Sequence, residues 1–154
     1  MDNRKVNIFL GIASSILGIV AVLVLFATAF GASDFWNNPS TLGSCYNVMF
    51  GYQGYNSVPL LIAAFVLQLC GIFFALVGAI IGRRLGAINL GLAAICFVAA
   101  GIMWFMSPSA FLSANPDFGV AEKVVLGTGS ILTAVFSLGG ALVGLYGAYR
   151  AFKA

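Results

Sequence analysis

The chain has 154 residues, of which 62% are hydrophobic and 7% charged, with a net charge of +3 and no histidine. A water-soluble domain carries charge on roughly a quarter of its residues, so this composition excludes one and leaves room for a single lipid-embedded domain. The small positive charge is explained by its placement along the chain, and no nucleic-acid partner is expected.

Four runs without a charged side chain, about 6–30, 58–82, 85–106 and 124–149, take up most of the sequence. Each suffices to cross a bilayer core of about 30 Å as a helix rising about 1.5 Å per residue. The expected fold class is an all-α integral membrane protein, with four transmembrane helices in an antiparallel bundle spanning residues 1–154.

The first run follows Arg4 and Lys5, and Ala27-Thr28-Ala29 has the small-x-small form of a signal cleavage site. The run is about twice as long as a signal core of roughly 7–15 residues, so it reads as a span. The first outer loop, 31–57, is rich in Gly, Asn and Ser and carries Phe35, Trp36, Tyr46, Phe50, Tyr52 and Tyr55. Aromatic residues anchor membrane edges, but this cluster is denser than anchoring requires and has the makeup of a contact surface. Apolar residues alternate in Tyr46-Asn47-Val48-Met49-Phe50, which predicts a short β element. Cys45, the one cysteine outside the runs, is expected to pair between chains or stay free.

Pro59 suits the first turn of the second helix. Gly71, Ala75, Gly78 and Gly82 on that helix, Gly91 on the third, and Gly140 and Gly144 on the fourth form small-xxx-small faces that let backbones approach in lipid. They fit packing within one bundle, self-association, or contact with another membrane protein. Gln68 lies near mid-membrane, level with Thr133 and Ser137 of the fourth helix. An unpaired amide in hydrocarbon costs several kcal/mol, so Gln68 is expected to face inward. There it either bonds Thr133 or Ser137 as interhelical glue or lines a polar path. Ser14 and Ser15 are expected to bond their own helix carbonyls. Cys70 and Cys96 come out at similar heights in adjacent helices.

The turn at Arg83-Arg84 is short enough to force a tight hairpin. In the second outer loop, 107–123, Ser107-Pro108-Ser109 predicts the start of a short interfacial helix and Asn115-Pro116-Asp117 a turn. Leu10-Gly11-Ile12-Ala13-Ser14 is echoed by Leu90-Gly91-Leu92-Ala93-Ala94, and Ala75-Leu76-Val77-Gly78 by Ala141-Leu142-Val143-Gly144. Two tandem hairpins would give this order.

Arg4, Lys5, Arg83, Arg84, Arg150 and Lys153 fall on one side of such a topology with only Asp2 against them. Asp34, Asp117 and Glu122 fall on the other with Lys123. The positive-inside bias then puts both termini in the cytoplasm, and the plasma membrane is the expected location.

Residues for chemistry are sparse. The runs contain no carboxylate, there is no Cys-x-x-Cys, and Gly127-Thr128-Gly129-Ser130 lacks the lysine of a phosphate loop. No catalytic, cofactor-binding or metal-binding residue is assigned, and an enzyme is not expected.

The layout of inner termini, larger first outer loop, tight inner turn and smaller second outer loop resembles that of claudin-like and peripheral-myelin-type tetraspan proteins. Those families carry a Trp followed by Gly-Leu-Trp and two cysteines in the first loop. Here Trp36 and Cys45 stand with Thr41-Leu42-Gly43-Ser44 between them, and no functional residue is carried over. The leading expectation is a non-enzymatic accessory, scaffold or assembly subunit. It would act on itself or another integral membrane protein, amid membrane lipids, through its small-residue faces and aromatic loop. The alternative is a small oligomeric transporter or channel with a weakly polar path near Gln68, Thr133 and Ser137.

Overall fold

The computed structural model describes residues 3–27, 29–33, 39–41, 43–51, 54–81, 83–117 and 123–153. Helix α1 (Asn3–Leu23) runs into a 3-10 turn (Val24–Phe26). After it come strands β1 (Phe30–Ser33) and β2 (Pro39–Thr41), the short helix α2 (Cys45–Phe50), and the long helices α3 (Pro59–Ile81) and α4 (Arg83–Phe105). The chain closes with α5 (Ser107–Ala114), β3 (Lys123–Leu126) and α6 (Thr128–Lys153). Lys5–Phe26, Pro59–Ile81, Arg84–Phe105 and Thr128–Lys153 are each long and apolar enough to cross a membrane, which makes this a multi-pass membrane protein.

Helix α1 packs against α3 and α6, and α4 packs against the same two, so α1 and α4 lie across a diagonal. The connecting segments build a cap at one end, called here the sheet end. The opposite end, where Lys5, Arg84, Arg150 and Lys153 lie, is the basic end. The cap's sheet has the order β2-β1-β3, with both pairs antiparallel.

Two sequence expectations change here. Residues 45–50 are helical, not a strand. Ser44 caps the helix by accepting a bond from the Asn47 N–H at 3.2 Å. The apolar pattern satisfies the helical spacing i, i+3, i+4, burying Cys45, Val48 and Met49 while Tyr46 and Phe50 remain exposed. Five residues cannot separate the two periods. The β element of the first loop falls instead at β1 and β2, ahead of residues 46–50, and β3 comes from residues read as the start of the fourth span. Helix α1 gives way before residue 30, and 123–126 is strand before α6 starts at Thr128. Val124 and Val125 are β-branched and suit a pleated surface. Gly127 N–H then donates to the Ala29 carbonyl at 2.9 Å, tying the entry of α6 to the exit of α1.

The segment before α3 is tied to the end of α5 by asparagine side chains that bond backbone groups. Asn56 N–H donates to Asn115 Oδ1 (2.6 Å), Asn56 Nδ2 donates to the Ala114 carbonyl (3.0 Å), and Asn115 Nδ2 donates to the Phe111 carbonyl (3.1 Å). Gly51 closes α2 at φ +89°, and a Cβ there would stand 2.9 Å from the Tyr55 carbonyl oxygen, so only glycine fits. Helix α5 and the turn at 116–117 lie where the sequence predicts them.

An apolar core beneath the cap gathers Leu25, Met49, Leu61, Trp104 and Phe111. Two polar atoms in this region, Trp104 Nε1 and Ser107 Oγ, are buried without a hydrogen-bond partner among the described residues. An unmade buried bond costs about 1–3 kcal/mol. Replacing Ser107 by Ala is therefore expected to raise unfolding stability by about 1 kcal/mol or more. A shift of the detergent-unfolding midpoint toward higher denaturant would register it, and a loss of stability would contradict it.

Candidate functional site

The polar residues singled out in the sequence meet inside the bundle. Gln68 of α3 is fully buried. Its Nε2 donates to the Gly18 carbonyl of α1 at 3.3 Å, and its Oε1 accepts from Ser137 Oγ of α6 at 2.6 Å. Ser137 Oγ also lies 2.7 Å from the Thr133 carbonyl, so its single proton serves one acceptor at a time. Thr133 Oγ1 donates to the Ala21 carbonyl at 3.3 Å. Gln68 thus joins α1 and α6 as well as its own helix. The groups are paired with each other and with backbone, as a polar cluster in hydrocarbon must be.

Ser14 behaves differently from expectation. It donates to the Gly140 carbonyl of α6 at 2.8 Å rather than to its own helix, whereas Ser15 does bond back to the Gly11 carbonyl at 2.8 Å. Two inter-helix hydroxyl bonds, from Ser14 and Thr133, therefore stitch α1 to α6 on either side of the Gln68 level.

Beside this cluster, Phe97 of α4 fills a socket that the sequence reading did not identify. The ring is fully buried. A Cβ at Gly18 (α1) or Gly71 (α3) would stand 2.7 Å from its atoms, and one at Gly140 (α6) 3.3 Å away. Each of the three other spanning helices thus contributes one glycine to the same ring. Among the sequence-predicted positions, Gly78 abuts Gly86 and Leu90, Gly144 abuts Leu90 and Ser14, and Ala75 is buried where α1 approaches at Gly11. Gly82 lies outside the described residues. Gly91 faces open space, with nothing within 4 Å of an added Cβ. Gly11 and Gly91, the matching glycines of the two echoed motifs, therefore sit in unlike surroundings. Gly11 and Gly18 recur every seven residues on α1, the sequence signal that would have found this face.

Removing the hydroxyl of Ser137 leaves Gln68 Oε1 unpaired, whereas in a Gln68→Leu background that acceptor is already gone and Ser137 keeps the Thr133 carbonyl. Ser137→Ala is expected to cost about 1–2 kcal/mol of unfolding stability, and the same change in a Gln68→Leu background less. A double-mutant cycle measured by detergent unfolding checks this, and zero coupling would contradict it.

The aromatic residues of the first loop divide. Tyr46 stacks on Phe26 (centroids 5.7 Å apart, planes at 21°) and meets Phe50 edge-on (5.0 Å). All three rings are exposed, by 68% at Phe26, 42% at Tyr46 and 46% at Phe50. Tyr55 packs edge-on against Phe111 at 5.6 Å. Phe35, Trp36 and Tyr52 lie outside the described residues.

Cys45 is fully buried and free, its Sγ 3.6 Å from Ser130 Oγ, which itself donates to the Ala29 carbonyl at 2.8 Å. Burial pushes its thiol up to about 11. A buried, protonated thiol is not positioned to pair between chains unless the cap opens. Cys70 and Cys96, one residue before the contacting pair Gly71 and Phe97, are free and half-buried. No protein-family model matches the chain, and no curated protein is found to be similar to it.

Proposed function

We propose that this protein is a non-enzymatic tetraspan subunit that assembles with another integral membrane protein, or with a second copy of itself, through the aromatic surface of its sheet end. In this reading the four helices alternate in direction as an antiparallel bundle. The basic end, with both termini, faces the cytoplasm, and the sheet end lies outside the plasma membrane. The surplus of cations at one end supports that orientation.

The observation that carries the reading is the Phe26–Tyr46–Phe50 ladder. Three rings stand exposed, Tyr46 touching both Phe26 and Phe50, on a cap held by the Ala29, Gly127 and Ser130 bonds. Aromatic side chains supply much contact area for little conformational entropy, and a rigid support favours recognition over headgroup anchoring alone. The small-residue faces act inside the bundle in this reading, because Gly71, Gly78, Gly140 and Gly144 are filled by the protein's own helices. Partner contact therefore falls to the ladder rather than to Gly140 and Gly144.

A photo-crosslinking side chain in place of Tyr46 tests this in native membranes. The expected result is a discrete protein adduct, either with a second copy or with one other membrane protein. The same probe at Phe73, exposed on the side of α3, should give only lipid adducts. Lipid adducts alone at both positions would overturn the reading.

A further inference from the structure

We infer that the basic end is a binding surface for anionic phospholipid headgroups, a role separate from the aromatic ladder. Contacts along the bundle set the heights of its cations. Gly147 of α6 abuts Leu10 of α1 and Leu90 of α4, while Gly78 of α3 abuts Gly86 and Leu90 of α4. Counting from these contacts at about 1.5 Å per residue, Lys5, Arg84, Arg150 and Lys153 fall within a layer roughly 5 Å deep. That layer is one headgroup layer or less.

Lys5, Arg84 and Lys153 are exposed and Arg150 is partly so. Among the described residues none of these cations meets a carboxylate; Lys153 Nζ instead stands 4.6 Å over the exposed ring of Tyr149. Exposed Tyr146, Tyr149 and Phe152 share this end of α6, the girdle expected at headgroup depth. The sequence adds Arg4 and Arg83 to the same turns and only Asp2 against them. Lys5 and Arg84 also occupy first turns of helices, where the helix dipole disfavours a cation. Four cations next to spanning helices, with no carboxylate partner among the described residues, attract anionic lipid, and each contributes about a fivefold gain in affinity. A zwitterionic headgroup offers no such net charge.

The test uses the full chain in detergent with equal amounts of phosphatidylglycerol and phosphatidylcholine, and native mass spectrometry to read which lipid is retained. The expected result is preferential retention of phosphatidylglycerol, falling as salt is raised. Lys153→Gln and Lys5→Gln should each lower the preference about fivefold, and Asp117→Asn at the sheet end should leave it unchanged. Equal retention of both lipids by the unaltered protein would overturn the inference. So would a preference indifferent to salt, or one shifted as much by Asp117→Asn as by Lys153→Gln. The salt series needs no variant, so a poorly folding substitution does not spoil the test.

Discussion

Phe97→Ala is expected to be the most damaging single substitution in the bundle. The ring occupies a socket whose walls are Gly18, Gly71 and Gly140, together with the small side chains Ala75, Ala93, Ala94 and Ala141 around it. Glycine and alanine have no longer side chain to move into the space, so collapse is left to Ile72, Phe74 and Val98, which also pack here, and stays incomplete. In a soluble core a Phe→Ala change costs about 3–5 kcal/mol, combining lost transfer free energy with the residual cavity. In a membrane the unfolded reference stays in lipid, which removes much of the transfer part. The cavity and the lost dispersion contacts remain, and about 2–3 kcal/mol is expected. Reversible unfolding in mixed detergent micelles reads this directly. A variant within about 0.5 kcal/mol of the parent, the range typical of changes away from any such feature, would mean that the socket is not where the helices are held.

The second large effect contrasts two glycines of similar appearance in the sequence. At Gly71 an added methyl group would stand 2.7 Å from the Phe97 ring, whereas at Gly91 it would meet nothing within 4 Å. Gly71→Ala therefore overpacks a site with no free volume, at an expected cost of about 1–3 kcal/mol. Gly91→Ala removes a helix-interior glycine from an open face and is expected to stabilise by about 0.5–1 kcal/mol. The two variants should separate by at least about 1.5 kcal/mol, with opposite signs relative to the parent. Equal effects at both positions would show that helix propensity rather than inter-helix contact sets the role of these glycines.

The two glycines also show where sequence reasoning reaches its limit. Small-xxx-small spacing marks a face able to approach a neighbour, but it does not say whether a neighbour is there. Gly71 and Gly91 match the pattern equally, and only three-dimensional placement separates them. The long apolar runs were legible because length and lack of charge leave a spanning helix as the solution that satisfies the backbone. Gln68 was legible for a related reason, since a lone amide in such a run has to find a partner. Its bond to Ser137 lies at the depth that counting residues gives.

Local competition hid the rest. Val124–Leu126 reads as helix when attached to a long apolar run, yet pairing with β1 draws it into a strand. Residues 45–50 carry a pattern that fits both periods, and the Ser44 cap decides between them. Ser14 can bond its own helix or a neighbour, and the close passage of α6 at Gly140 offers the neighbour's carbonyl.

In the proposed arrangement the basic end and the sheet end of the bundle lie on opposite sides of one membrane. Single cysteines in place of Arg84 and Ser57, in a chain whose own three cysteines are replaced, probe those ends in intact cells with a membrane-impermeant maleimide. Labelling is expected at position 57 in intact cells, and at position 84 only after the membrane is permeabilised. Labelling of both positions from the same side would contradict it.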